Sequence, residues 1–282
     1  ILALERYGFR HLEAVITGFV GIISLCYLVE TILGKPPWGE VLVNAVVPRF
    51  AGPESIVIAA GILGATVMPH NLYLHSSIVQ TRRYSETHAS KAEAIRFATL
   101  DSSVALMSAL FINAAILVMA AATFHGTAYE SVADIGDAYR LLSPLLGTTA
   151  ASVLFGIALL CSGQNATLTG TLAGQIVMEG FVNIRIRPWL RRLITRLIAI
   201  VPAVIVVHLR GERGTGELLI LSQVVLSLQL PFAVFPLVQF TSDRSKMGPF
   251  VTSRLVQVLA WTVAVVIAAL NVWLLYQTAV DL

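Results

Sequence analysis

The chain is 282 residues long, 56% hydrophobic and only 12% charged, with a mean hydropathy of +0.80. Soluble domains carry about 25% charged residues, so this composition excludes a water-soluble enzyme and a disordered protein. The net charge of +3 is too small to mark a nucleic-acid binder, and no nucleic-acid partner is expected.

A membrane-crossing helix needs about 20 mostly apolar residues. Seven segments qualify or nearly do: 12–33, 55–80, 99–123, 149–181, 193–209, 217–241 and 250–277. The fourth is long and polar for a span, and the fifth is short. Lys and Arg alternate between the connections. Fourteen fall on one set of ends (Arg6, Arg10; Arg82, Arg83, Lys91, Arg96; Arg185, Arg187, Arg191, Arg192, Arg196; Arg244, Lys246, Arg254) and five on the other. The positive-inside rule puts the first set in the cytoplasm. A multi-pass protein of the cell membrane is expected, with the lipid bilayer around it, Ile1 inside and Leu282 outside. A seven-helix receptor would start outside. A retinal protein needs a lysine within a span, and all three lysines here lie in loops. Cys26 and Cys161 sit in apolar runs and form neither a disulfide framework nor a zinc spacing. The chain starts at Ile1 without a signal peptide, so it reads as part of a longer membrane protein.

The second segment, SIVIAAGILGATVMPHNLYLHSSIVQ, carries Pro69 near its midpoint. Proline has no N–H to donate to the carbonyl four residues back, that of Ala65, and clashes with it. Met68 is pushed out of helical geometry by the proline that follows, and Gly61 and Gly64 loosen the turn before it. An unwound stretch over 65–69 between two half-helices is predicted. Irregular backbone inside a membrane survives only where it is buried in protein or lines a cavity. Secondary transporters bind ions and substrates at such breaks. A freed Ala65 carbonyl beside the Met68 thioether suits a transition-metal ion better than Ca²⁺ or Mg²⁺. The plain alternative is a kinked helix with Met68 as packing.

His70 and His75 are about 140° apart on a helical wheel and form no chelating face, whereas Asn71 and His75 share one. Intramembrane histidines mark ion or proton paths, or pair with a backbone carbonyl. The fourth segment holds Ser162, Gln164, Asn165, Thr167, Thr169, Thr171 and Gln175. Interhelical hydrogen bonds are expected from these, with close helix approach at Gly170 and Gly174. In the sixth segment Pro231 and Pro236 are expected to bend the helix, and Gln223 and Gln229 are polar within the membrane. Arg191, Arg192 and Arg196 open the fifth as interface anchors or as partners of an acid elsewhere. Glu30, Asp101 and Glu179 lie near span ends and no Asp or Glu is central. Neutral ligands alone stabilise a divalent cation poorly in a low dielectric. Any cation site would need a carboxylate from upstream of Ile1.

GATVMPHNLYLHS (64–76) resembles the sixth-helix signature of the Nramp divalent-metal transporters. ERYGFRHLE (5–13), NATLTGTLAGQIVMEG (165–180), RRLITR (191–196) and SQVVLSLQLPFA (222–233) are similar to that family too, so the resemblance runs over essentially the whole chain. It implies an all-α, LeuT-type inverted-repeat fold. The seven spans would be helices five to eleven, forming one transmembrane domain (1–282) that holds the second repeat and its flanking helices. The first four helices, with the DPGN motif whose Asp and Asn bind metal, would be missing.

By position, the resemblance implies metal ligation by Met68, the Ala65 carbonyl and Gln223. It implies a proton pathway through His70, His75, Arg191 and Arg192. Pro69 and Asn71 belong to the same motif. The implied function is a proton-coupled secondary transporter importing Mn²⁺ and Fe²⁺. The metal is cargo, H⁺ is the coupling ion, and there is no cofactor and no enzymatic reaction. Two alternatives are another LeuT-type symporter for a small organic solute and a non-transporting membrane scaffold or receptor.

Overall fold

A computed structural model of the chain describes residues 9–47, 52–129, 132, 134–181 and 188–280. Apart from one 3₁₀ turn at Gly248–Phe250, every regular element among them is an α-helix. The order is α1 (Phe9–Gly34), α2 (Trp38–Val46), α3 (Pro53–Thr66), α4 (Pro69–Gln80), α5 (His88–Phe124), α6 (Ile135–Leu146), α7 (Thr149–Phe181), α8 (Pro188–Arg210), α9 (Glu212–Ser242), α10 (Arg244–Met247) and α11 (Arg254–Val280).

Six stretches among the described residues are long and apolar enough to cross a bilayer: His11–Gly34, Ser55–Gln80, His88–Phe124, Thr149–Met178, Leu218–Ser242 and Arg254–Trp273. These fall on six of the seven expected spans. The remaining one, 193–209, lies in α8, whose apolar stretch covers only Arg196–Leu209. At 1.5 Å per residue that stretch is short of a bilayer's hydrocarbon thickness. Ile1 and Leu282, on which the expected orientation was stated, lie outside the described residues.

The chain divides into two compact units, residues 1–48 with 95–172, and 49–94 with 173–282. The core of the first gathers Ile23, Cys26 and Tyr27 of α1, Met119 of α5, Leu142 of α6, and Ala151, Ala158 and Cys161 of α7. The amphipathic helix α6 supplies Leu142, which is completely buried. Asp134 starts α6 by accepting from the backbone N–H of Gly136 at 2.7 Å. Gly147 ends it in the left-handed region at φ +68°, where a residue without Cβ is unstrained. Ser152 of α7 then closes the α6–α7 hairpin, donating to the Tyr139 carbonyl at 2.7 Å.

Three threonines of the polar run in α7 behave differently from expectation. Thr167, Thr169 and Thr171 donate to carbonyls of their own helix, those of Gly163, Asn165 and Thr167, at 2.7–3.1 Å. Threonine in an apolar helix satisfies its hydroxyl this way without a neighbour. The close approach expected at Gly170 is not made among the described residues either, since nothing lies within 4 Å of a Cβ built there.

In the second unit α9 is the central rod. It packs against α3, α4, α8, α10 and α11. Pro231 and Pro236 lie inside it without ending it. Leu230, Ala233 and Val238 of α9 and Ala264 and Ile267 of α11 are buried, and the Phe235 and Trp261 rings meet at 5.7 Å.

Truncating Leu142 to Ala empties the middle of the first unit's core. The expected loss is about 2–5 kcal/mol, read as a lowered melting temperature of the purified full-length protein. An unchanged melting temperature would show that α6 is not a core element.

Candidate functional site

The second span is broken. Helix α3 ends at Thr66, and its last backbone bond runs from the Val67 N–H to the Leu63 carbonyl at 2.8 Å. Val67 is at φ −112°, ψ 78°, and Met68 is extended at φ −81°, ψ 130°. Pro69 then stands in the first turn of α4, where its missing N–H costs nothing and its fixed φ suits the helix. The Met68 carbonyl receives the Asn71 N–H at 3.0 Å. The interruption is narrower than the 65–69 predicted: Ala65 and Thr66 keep helical backbone, and only Val67 and Met68 leave it. The Ala65 carbonyl still loses its donor, because residue 69 is proline.

Around this break Pro69 is buried, Met68 and His70 are half-buried, and Ala65, Asn71 and His75 are exposed within the chain. His70 and His75 both lie on α4. Among the described residues no three His, Cys, Asp or Glu side chains converge as a metal site. The donors at the break are of another kind, carbonyl and thioether. Arg191 and Arg192 occupy the start of α8, and their side chains lie outside what is described.

The break is held against α9 at Gly64, one residue before Ala65. A Cβ built on Gly64 would stand 2.0 Å from the Gln223 carbonyl oxygen and 3.0 Å from the Ser227 nitrogen. Only a residue without a side chain allows the two backbones this close. The contact brings the backbone of Gln223 against the last turn of α3. The Gln223 amide nitrogen donates to Ser222 Oγ at 3.2 Å, while its Oε1 is buried without a hydrogen-bond partner. One turn further on, the completely buried Ser227 donates to Asn271 Oδ1 of α11 at 3.0 Å. Asn271 Nδ2 in turn donates to the Ile267 carbonyl at 3.0 Å.

The pairing of Ser227 with Asn271 escaped the sequence reading. Ser227 sits four residues after Gln223 and so on the same helical face. Asn271 is a lone amide within an apolar run. Both were visible as intramembrane polar groups, but nothing in the sequence joins residues 44 positions apart. In the sequence Gly64 reads as loosening its turn, whereas in the structure it lets α3 dock closely on α9.

A family model described as Natural resistance-associated macrophage protein-like, Nramp, matches residues 1–277. The chain is 57% identical over 277 residues to the divalent metal cation transporter MntH of Agrobacterium fabrum, covering 98% of this chain and 60% of that protein. It is 58% identical over 281 residues to the protein of the same name from Bradyrhizobium diazoefficiens, covering 99% and 62%. It thus spans about three-fifths of the length of these curated relatives. A crystal structure of the Eremococcus coleocola manganese transporter, in complex with an aromatic bis-isothiourea substituted compound, superposes with a TM-score of 0.83. That likeness is at 36% identity and covers 96% of this chain and 60% of the other. The LeuT-type fold class is the one this likeness shows.

The two contacts on α9 differ in cost. A side-chain hydrogen bond between membrane helices is worth about 0.6 kcal/mol on average. Forcing a methyl group into a packed backbone contact costs about 1–3 kcal/mol. Gly64→Ala is therefore expected to lower the melting temperature of the full-length protein clearly more than Ser227→Ala. The reverse order would show that α3 does not rest on α9 through Gly64.

Proposed function

Because the chain belongs to the Nramp family, we propose that the full-length protein is a proton-coupled secondary transporter that imports Mn²⁺ and Fe²⁺ across the cell membrane. The observation that carries this reading is the break at Val67–Met68. There the Ala65 carbonyl lacks its helical donor and a thioether-bearing residue, Met68, follows three positions on, within a stretch apolar enough to cross a membrane. The names of the relatives support it: the curated ones are divalent metal cation transporters, and the solved neighbour is a manganese transporter.

In this reading the ion sheds most of its water between the Ala65 carbonyl and the Met68 sulfur. Gln223 joins through its amide oxygen. The buried, partnerless Oε1 fits that part, since an acceptor out of water without a donor is costly and a cation would satisfy it. Met68 sets selectivity. A thioether is a poor ligand for Ca²⁺ and Mg²⁺ and an acceptable one for softer transition metals, so it works against the more abundant ions. His70 and His75 on α4, and Arg191 and Arg192 at the start of α8, form the proton pathway. His70 lies next to Pro69, which couples its position to the break. Alternating access moves the broken helix relative to a scaffold, and protons running down their gradient draw the metal inward. The loop charge supports a cytoplasmic Ile1 and an extracellular Leu282.

Two measurements on the full-length protein in proteoliposomes test this. An inwardly directed proton gradient is expected to accelerate Mn²⁺ uptake, and a protonophore to remove that acceleration. Uptake indifferent to both would end the proton-coupled reading while leaving metal transport standing. In the second, Met68→Ala is expected to keep Mn²⁺ uptake and to admit several-fold more Ca²⁺. Ca²⁺ exclusion as tight as before would show that the sulfur does not select.

A further inference from the structure

We propose that α2 is an interfacial helix, seated in the phospholipid headgroup layer of the bilayer surface at which α1 ends, with its apolar face toward the acyl chains. Its sequence is WGEVLVNAV. Trp38, Val41, Leu42, Ala45 and Val46 follow the i, i+3, i+4, i+7, i+8 pattern of one helical stripe. Glu40 and Asn44, four apart, mark the opposite edge, and Asn44 Nδ2 donates to the Glu40 carbonyl at 3.0 Å.

No residue of α2 is buried within the chain. Trp38 is 56% exposed, Leu42 66% and Val46 80%. An apolar face left this open marks a contact surface, and the chemistry around it selects lipid. The helix begins four residues after α1 ends at Gly34, where a membrane-crossing stretch stops. Its apolar stripe therefore starts close to the edge of the hydrocarbon region.

The linker is built to turn the chain there. Lys35 is exposed and adopts φ 45°, a left-handed conformation uncommon for a residue with a side chain. Pro36 and Pro37 follow, and a new helix opens as the Glu40 and Val41 N–H groups bond the Pro37 carbonyl at 3.0 and 3.1 Å. A lysine at a span end reaches toward phosphates, and a tryptophan at the start of the next helix is the residue enriched at headgroup depth. Nine residues are too few to cross the bilayer, while a broad apolar face with a narrow polar edge lies in its surface.

The test places one nitroxide label at a time on Leu42→Cys, Val46→Cys or Glu40→Cys in the full-length protein. The two native thiols are buried and stay in place, with the unsubstituted protein as labelling control. The protein is reconstituted in phosphatidylethanolamine–phosphatidylglycerol nanodiscs. Collisions of the label with dissolved oxygen, which partitions into lipid, are compared with those of a water-soluble nickel chelate. Labels at 42 and 46 are expected to favour oxygen several-fold more than the label at 40. If all three favour the nickel chelate, the face is in water and the proposal fails. If 42 and 46 are shielded from both reagents, protein covers the stripe instead of lipid, and the proposal fails equally.

Discussion

One missing hydrogen atom organises the second unit. Pro69 has no N–H, and it stands in the middle of a stretch that is otherwise apolar enough to cross a bilayer. In water the carbonyl it leaves behind would be hydrated. In hydrocarbon each unsatisfied backbone group costs several kcal/mol, so the break cannot face lipid. It has to be covered by protein or open onto a cavity whose contents supply the missing partners. Both half-helices pack on α9, while Ala65, Thr66 and Val67 at the break itself stay exposed within this chain. On the proposed reading the cavity is where a cation gains its place, because it would offer the freed carbonyl what the proline took away.

Proline alone does not make such a break. Pro202, Pro231 and Pro236 each lie inside a continuous helix. The difference at Pro69 is that Met68 has gone over to the extended conformation that a following proline favours, while the residues before the other three have stayed helical. What distinguishes the site is Gly64, whose contact with the Gln223 carbonyl seats the last turn of α3 on an unbroken rod. Ser227 and Asn271 tie that rod to α11. A broken helix laid on a continuous one gives a local irregularity a fixed frame, which a ligand set needs if its donors are to stay in register.

The helices and the break were legible because their causes are local. Apolar runs of the right length place the spans, and the MPHN stretch places the interruption within two residues at either end. What the sequence left hidden depends on contacts between distant residues. Gly64 reads as a flexible point until α9 is seen against it. The threonines of α7 read as interhelical donors, yet Thr167 and Thr171 satisfy their hydroxyls within the helix, because a back-bond to the fourth preceding carbonyl is always within reach. The short helix α2 does not stand out among the spans because nine residues are too few to cross a bilayer. Its pattern was nonetheless plain at the period of a helix.

The charge balance at the break bears on what completes it. Neither Ser55–Gln80 nor Leu218–Ser242 contains an Asp, Glu, Lys or Arg, so the donors around Met68 are all neutral. A divalent cation leaving water for a low-dielectric site loses hydration worth far more than two neutral oxygens and a sulfur return. Neutral donors can select between ions, through softness and geometry, but they cannot by themselves hold a double charge. On the proposed reading the two tasks are therefore divided. The residues of this chain distinguish transition metals from alkaline-earth ions, and a carboxylate from outside these 282 residues supplies the negative charge. Selectivity and affinity then reside on different helices. On that reading the broken helix, in moving relative to the scaffold, opens the site to either side of the membrane, and the ion leaves once its full ligand set no longer converges.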